Sequence, residues 1–227
     1  MIKFAEKNQK QEIINIWKTS FPDDTPEFVE MYFAQKYKEE NTLIYLVENK
    51  AVSCLQMLPY EITFYNHICK MSYICGAATL PDYQNKGIMG KLLSKSFLEM
   101  KNRGDIFTVL IPQELWLIEY YKKYGYALCS KNCLNDVLDD ISFYADTLDN
   151  IMARILDVQK ALGLYASLKE KLQMTIKVTD NQIIKNNGVF YIHEGRCIKK
   201  EDNYFDFEAN INLLTQQLFY YKMNNLR

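Results

Sequence analysis

Apolar positions recur along this chain with two periods, and the switches between them predict its elements. Ile2-Lys3-Phe4-Ala5 alternates and predicts a first strand. From Gln11 to Ser20 the spacing of Ile14, Trp17 and Phe21 predicts a helix, broken at Pro22-Asp23-Asp24. Thr25 is placed to cap a second helix with Pro26 at its first position, and Phe28, Met31, Tyr32 and Gln35 continue it. Thr42–Glu48 and Ala51–Tyr60 predict a hairpin around Asn49-Lys50; Glu61–Tyr65 and Ile68–Cys75 predict another around Asn66-His67.

The next stretch organises the rest. Cys75-Gly76-Ala77-Ala78 is small and apolar, as suits a buried strand that something approaches closely. Pro81-Asp82 stops it. Gln84-Asn85-Lys86-Gly87-Ile88-Met89-Gly90 reads as a tight turn into a helix. That helix has Ile88, Met89, Leu92, Leu93, Phe97 and Met100 on one apolar face and Gly104 at its end. Phe107–Leu110 predicts a short buried strand and Glu114–Lys123 a helix.

After Ser130 the character changes. Asn132–Ser142 carries Leu134, Val137, Leu138 and Ile141 among several Asp and predicts one further strand and a linker. Ile151–Leu156 is a strand, and Asp157 caps a helix through Lys169 with Val158, Ala161, Leu162, Tyr165 and Leu168 on one side. Met174, Ile176 and Val178 alternate with polar residues as in a half-buried strand. Turns at Asp180-Asn181, Asn186-Asn187-Gly188 and Glu194-Gly195 separate further strands. Asn210 opens a last helix with Ile211, Leu214 and Leu218 inward.

Composition narrows the classes. The 227 residues allow one large domain or two modest ones, and 48% hydrophobic with 24% charged residues is ordinary for a soluble globular chain. A net charge of −1 recommends neither nucleic acid nor an anionic membrane as a partner. The six cysteines form no CxxC, and the two histidines, His67 and His193, stand far apart, so no metal is expected. The opening MIKFAEKNQKQ has no apolar run and no segment approaches a membrane span, so the expectation is a cytoplasmic protein with free thiols.

The strand–turn–helix at residues 75–104 is built for a phosphate. Its glycines let backbone approach a ligand, and its helix start offers free N–H groups and a positive dipole end. It is neither a Walker loop, since the spacing to Gly90-Lys91 is too short, nor a Rossmann fingerprint, since GxGxxG is missing. From the loop alone, a plain α/β crossover explains it equally well.

The turn resembles the coenzyme A pyrophosphate loop of the GNAT acetyltransferases, Arg/Gln-x-x-Gly-x-Gly/Ala. Gln84 and Gly87 match, Met89 occupies the last small position, and Gly90 comes one residue late. Tyr121-Lys-Lys-Tyr-Gly125-Tyr126 resembles the family's Tyr-x-x-x-Gly-Phe/Tyr segment. The order of elements also matches, so the resemblance covers roughly residues 1 to 130. Farther on, ARILDVQKALGLY, TIKVTDNQIIKNNGVFYI and INLLTQQLF resemble the sterol-carrier-like C-terminal domain of the Eis-type (enhanced intracellular survival) acetyltransferases. Larger Eis-type proteins carry a second GNAT-like domain between these two parts, for which this chain has no room.

The resemblance implies an α+β protein. A GNAT fold, with a mixed, mostly antiparallel sheet and helices on both faces, spans residues 1–133. A connecting segment follows at 134–149 and a sterol-carrier-like α/β domain at 150–227. It implies acetyl transfer from acetyl-CoA to a primary amine of a small molecule or peptide; the alternative is a non-catalytic CoA-binding protein of the same fold. Ala77, Ala78 and Thr79 would hold the pantetheine arm and the oxyanion. Asn85, Lys86, Gly87, Ile88, Met89 and Gly90 would hold the pyrophosphate. Tyr121 would be the general acid and the carboxylate of Arg227 a base. The acidic run Asp23, Asp24, Glu27 falls where the family often borders its acceptor; the expectation is a solvated loop with a helix-capping charge. The C-terminal part is expected to be a lid or oligomer contact rather than a lipid carrier.

Overall fold

The computed structural model describes residues 1–130, 134, 136–142, 149–201 and 203–224. Its elements follow the predicted order. They are β1 Ile2–Phe4, α1 Lys10–Ser20, α2 Pro26–Gln35, β2 Thr42–Val47, β3 Lys50–Phe64, β4 His67–Thr79, α3 Ile88–Asn102, β5 Phe107–Leu110 and α4 Trp116–Lys122. Then come β6 Ala127–Leu128, α5 Leu138–Ser142, β7 Met152–Ile155, α6 Val158–Ser167, β8 Met174–Thr179, β9 Gly188–His193, β10 Arg196–Lys200, β11 Phe207–Asn210 and α7 Ile211–Asn224. The larger sheet has strand order β1-β2-β3-β4-β5-β7-β6, with β4 fourth of seven; the smaller has order β10-β9-β8-β11. β11 runs parallel to β8, whereas β8–β9 and β9–β10 are antiparallel.

Several details differ from the pattern reading for local reasons. The two predicted strands around Pro59 are one 15-residue strand, β3. The hairpin turns lie one residue earlier than expected, at Glu48-Asn49 (φ 48° and 63°) and Tyr65-Asn66 (φ 49° and 62°). Two successive left-handed residues are what a two-residue hairpin needs, and Asn49 and Asn66 each supply one of the two. In α1 the buried positions are Ile13, Ile16 and Trp17, with Ile14 and Phe21 only half-buried. Tyr165 is half-buried and Leu168 exposed at the end of α6. Where a strand was expected in 132–142 there is the short helix α5, and Val137 and Ile141, one helical turn apart, are both buried; residues 131–133 and 135 lie outside the described set.

Caps fall where the sequence put them. The Phe28 N–H donates to Thr25 Oγ1 (3.2 Å), the Lys160 N–H to Asp157 Oδ1 (3.2 Å) and the Leu213 N–H to Asn210 Oδ1 (2.9 Å).

The contacts divide the chain into two compact units, Met1–Pro59 with Tyr73–Ser96, and Tyr60–Ser72 with Phe97–Arg227. In the first, Trp17 packs on Tyr32 (ring centroids 4.6 Å) and Phe33 (5.6 Å), and Leu43, Ile44 and Leu55 are buried. In the second, Phe64, Phe107 and Phe219 form one ring cluster, with centroids 4.5 to 5.4 Å apart. The tip of the β3–β4 hairpin, residues 60–72, groups with the C-terminal part.

Candidate functional site

The predicted phosphate turn lies wholly in the first unit. β4 ends at Thr79 and a single 3₁₀ turn, Pro81–Tyr83, follows. Gln84 is extended, and its Nε2 donates to the Thr79 carbonyl (3.1 Å), tying the turn to the strand end. Asn85 (φ 58°) and Gly87 (φ 72°) are both left-handed, and α3 starts at Ile88. The Lys91 N–H closes on the Gly87 carbonyl (3.2 Å), so the N–H groups of Ile88, Met89 and Gly90 precede the first helical bond. Left-handed residues followed by such a helix start form a concave set of donors for an anion. A Cβ on Gly87 would meet nothing within 4 Å. Asn85, Lys86 and Gly87 are exposed, Ile88 and Gly90 are buried, and Met89 is half-buried. Lys86 Nζ lies 5.2 Å from the Tyr83 ring centroid, a cation–π contact that leaves its charge at the turn.

The strand leading into the turn is less uniform than the sequence suggested. The Leu80 N–H donates to the Val52 carbonyl (2.9 Å), so by strand alternation the Ala78 N–H also faces β3. The N–H groups of Ala77 and Thr79 point to the opposite side. Ser53 Oγ donates to the Ala78 carbonyl (2.8 Å) and lies 2.8 Å from Thr79 Oγ1. Of the three predicted residues, two therefore present a backbone donor away from β3.

Gly76 kinks β4 with φ 54°, and a Cβ there would lie 2.4 Å from Trp17 Cζ3. The close approach predicted for this small-residue run is thus made by the protein's own indole. Trp17 Nε1 donates to Asp24 Oδ2 (2.6 Å), so the half-buried Asp24 is held by an indole and not merely solvated, while Asp23 and Glu27 are exposed. The Tyr32 hydroxyl donates to Gln56 Oε1. Burial pushes the thiols of Cys54 and Cys75 up to about 12, which keeps both protonated and unreactive.

Tyr121 belongs to the second unit. It lies in the last turn of α4, buried, with its ring 5.3 Å from Tyr120 and 5.8 Å from Tyr126. Burial raises its phenol from 10.0 to about 12. Gly125 follows with φ 86°, and a Cβ there would fall 1.6 Å from Arg154 Nη1. Arg154 is fully buried in β7, pairs with Asp180 (2.8 Å) and lies over the Phe97 ring (4.5 Å). The sequence reading missed it, though the signal was present: one charge inside the apolar run Ile151–Leu156 needs a buried partner. A cavity of about 470 Å³ in this unit is lined by Lys122, Lys123, Asn181, Asn210 and Asn212 among others, none of them a predicted cofactor residue. Arg227 lies outside the described residues.

Among the described residues no group of three or more His, Cys, Asp or Glu is placed to hold a metal, and no helix is long and apolar enough to cross a membrane.

Residues 1–129 match the family model of the acetyltransferase (GNAT) domain, more than half of the chain. The protein belongs to the GNAT acetyltransferase family. No curated protein matches this GNAT chain. Solved structures share its fold at low identity. Eis1 from Mycobacterium abscessus aligns over 100% of this chain and 92% of its own, at 9% identity and TM-score 0.75. A conserved Enterococcus faecalis V583 protein of unknown function, a probable N-acyltransferase, aligns over 95% and 88%, at 13% and 0.75. A GCN5-related N-acetyltransferase from Anabaena variabilis ATCC 29413 aligns over 95% and 88%, at 13% and 0.72. The architecture is the GNAT fold followed by additional α/β structure.

Proposed function

We propose that this GNAT protein moves an acetyl group from acetyl-CoA to a primary amine of a small molecule or peptide. The observation that carries the reading is the turn at residues 85–90. Two left-handed residues, an unfilled space at Gly87 and three helix-start N–H groups follow one another there, with Lys86 adding charge. A pyrophosphate matches such a set of donors, and family membership supports acetyl-CoA as its carrier.

In the proposed reaction a neutral amine attacks the thioester carbonyl carbon, the C–N bond forms and the oxygen takes the negative charge. Ala77 and Thr79, whose N–H groups face away from β3, are the proposed donors on β4 for the cosubstrate, the oxyanion included. The amine gives its surplus proton to water. The C–S bond then breaks, and the departing thiolate takes a proton from the Tyr121 phenol, which is later reprotonated from water. The role of Tyr121 comes from the resemblance; a phenol held at about 12 by burial remains in the donor form at neutral pH.

The test is thiol release from acetyl-CoA in the presence of a panel of primary amines. Wild type transfers to at least one. Tyr121→Phe lowers turnover on the order of 100-fold with an unchanged dissociation constant, the signature of an interaction made in the transition state. Tyr124→Phe stays at the wild-type rate. Tight acetyl-CoA binding without transfer to any amine moves the non-catalytic CoA-binding reading ahead.

A further inference from the structure

The last turn of α4 leaves carbonyls that the helix cannot satisfy. Three of those at and just beyond its end are met from the C-terminal part of the chain. Arg154 Nη1 donates to the Tyr124 carbonyl (2.7 Å). Asn212, in the first turn of α7, uses one amide nitrogen for both the Lys122 and the Tyr126 carbonyls (2.8 Å each).

Each donor is itself fixed. Arg154 Nη2 lies 2.8 Å from both oxygens of Asp180. Asp180 also accepts from the Gln182 N–H (2.9 Å), the Ile183 N–H (3.2 Å) and Asn186 Nδ2 (2.9 Å). Arg154 is thus locked on one side by a saturated carboxylate and on another by the Phe97 ring. Asn212 rides on a helix whose Ile211, Leu214 and Leu218 are buried. The segment they grip carries Tyr121, and Tyr126, whose carbonyl Asn212 binds, has its ring 5.8 Å from the Tyr121 ring.

We infer that residues 150–227 serve the reaction as a clamp, with Arg154 and Asn212 as positioning residues that set where the Tyr121 hydroxyl sits. The inference rests on the reading of Tyr121 as proton donor. It gives the C-terminal part a task that requires no ligand. A hydroxyl carried on a segment whose backbone is held at these points reaches the leaving sulfur in one orientation; loosening either grip spreads that orientation and lowers the proton-transfer rate.

Full-length Asn212→Ala, Arg154→Lys and Tyr121→Phe, and the double variant Asn212→Ala/Tyr121→Phe, decide it. Asn212 is half-buried, and its substitution is expected to leave the core intact. Expected for Asn212→Ala is a fall in kcat of about tenfold with the acetyl-CoA dissociation constant unchanged. In the Tyr121→Phe background the same change costs nothing further, because the group being positioned is gone. Arg154→Lys, which keeps the charge but loses the planar fork, falls at least as far. A readout independent of any acceptor is the tyrosinate titration assigned to Tyr121 by difference from Tyr121→Phe, which moves down from about 12 in Asn212→Ala.

Wild-type kcat and an unmoved titration in Asn212→Ala, with Tyr121→Phe slow, overturn the clamp and leave the proton donor standing. An equal loss in both backgrounds also overturns it, since the effect is then general to the fold. Wild-type turnover in Tyr121→Phe overturns the proton-donor reading, and the clamp's catalytic role with it. If Arg154→Lys does not fold, Asn212→Ala decides.

Discussion

Two left-handed glycines, one in each unit, fall in segments that resemble family signatures, and the fold uses them in opposite ways. Gly87 has φ 72° and open space where a side chain would go; Gly125 has φ 86° and the guanidinium of Arg154 in that space. The turn around Gly87 is exposed, its helix-start donors uncommitted to the helix. Gly125 and Tyr126 are buried, and the carbonyls of Lys122, Tyr124 and Tyr126 are taken by Arg154 and Asn212. A glycine whose side-chain space stays open and a glycine whose space the protein fills look the same in a sequence. Only what fills the space tells them apart.

The sharpest way to break this comparison is to add one methyl group to each turn. Gly125→Ala puts a Cβ onto Arg154 Nη1 and Ile211 Cγ2. The arginine must leave, and a buried ion pair broken from one side costs about 3–5 kcal/mol. For a chain of this size that lowers Tm on the order of 10 °C. Gly87→Ala meets no atom and carries only the left-handed strain, about 1–2 kcal/mol. Thermal melts that put the two variants together remove the distinction.

The sequence showed the open turn better than the filled one. Gln84, Asn85 and Gly87 lie within four positions of one another, and the left-handed conformations of Asn85 and Gly87 follow from residue type. The filled turn depends on Arg154 and Asn212, which lie 30 and 90 residues from the carbonyls of Tyr124 and Lys122 that they bind. No period or spacing connects them. The same limit hid the Trp17–Gly76 contact and the indole on Asp24. Caps at Thr25, Asp157 and Asn210 were legible because each is settled within three residues. The short helix α5 was not, because two apolar residues one turn apart satisfy a strand pattern almost as well. The role proposed for Tyr121 rests on the resemblance: four tyrosines lie between residues 120 and 126, and burial alone does not rank them.

A smaller structural disturbance at the open turn sharpens its side of the comparison. Gly87→Glu adds bulk and a negative charge where the pyrophosphate is proposed to sit. Because the position is exposed and uncrowded, the fold should lose no more than Gly87→Ala does. Acetyl-CoA affinity should fall at least tenfold, the equivalent of about 1.4 kcal/mol. Calorimetry giving wild-type affinity in a folded Gly87→Glu removes the turn from the cosubstrate site and leaves its open geometry without a ligand.

The least disturbance comes from pH, which changes no atom but the proton. Burial raises the Tyr121 phenol from 10.0 to about 12, so the acid form persists to higher pH than in a free tyrosine. As a proton donor it should therefore show no loss of kcat between pH 8 and about 10, where an ordinary phenol would already be half ionised. Stability carries the same sign. The unfolded chain ionises this phenol near 10 and the folded one near 12, so its contribution is fully present below 10 and is lost as pH rises to about 12. The buried thiols Cys54 and Cys75 of the first unit behave alike but start earlier, from 9.0 toward about 12. Melting curves should thus begin to fall above pH 9 in wild type and in Tyr121→Phe equally. Above pH 10 the Tyr121→Phe slope should be the shallower of the two. If instead kcat falls with an apparent pKa near 10, or Tyr121→Phe keeps the full alkaline slope, the phenol is open to water in the working protein. The turn at Gly125 is then as accessible as the turn at Gly87, and the contrast between a space kept for a ligand and a space filled by the fold fails at its second member.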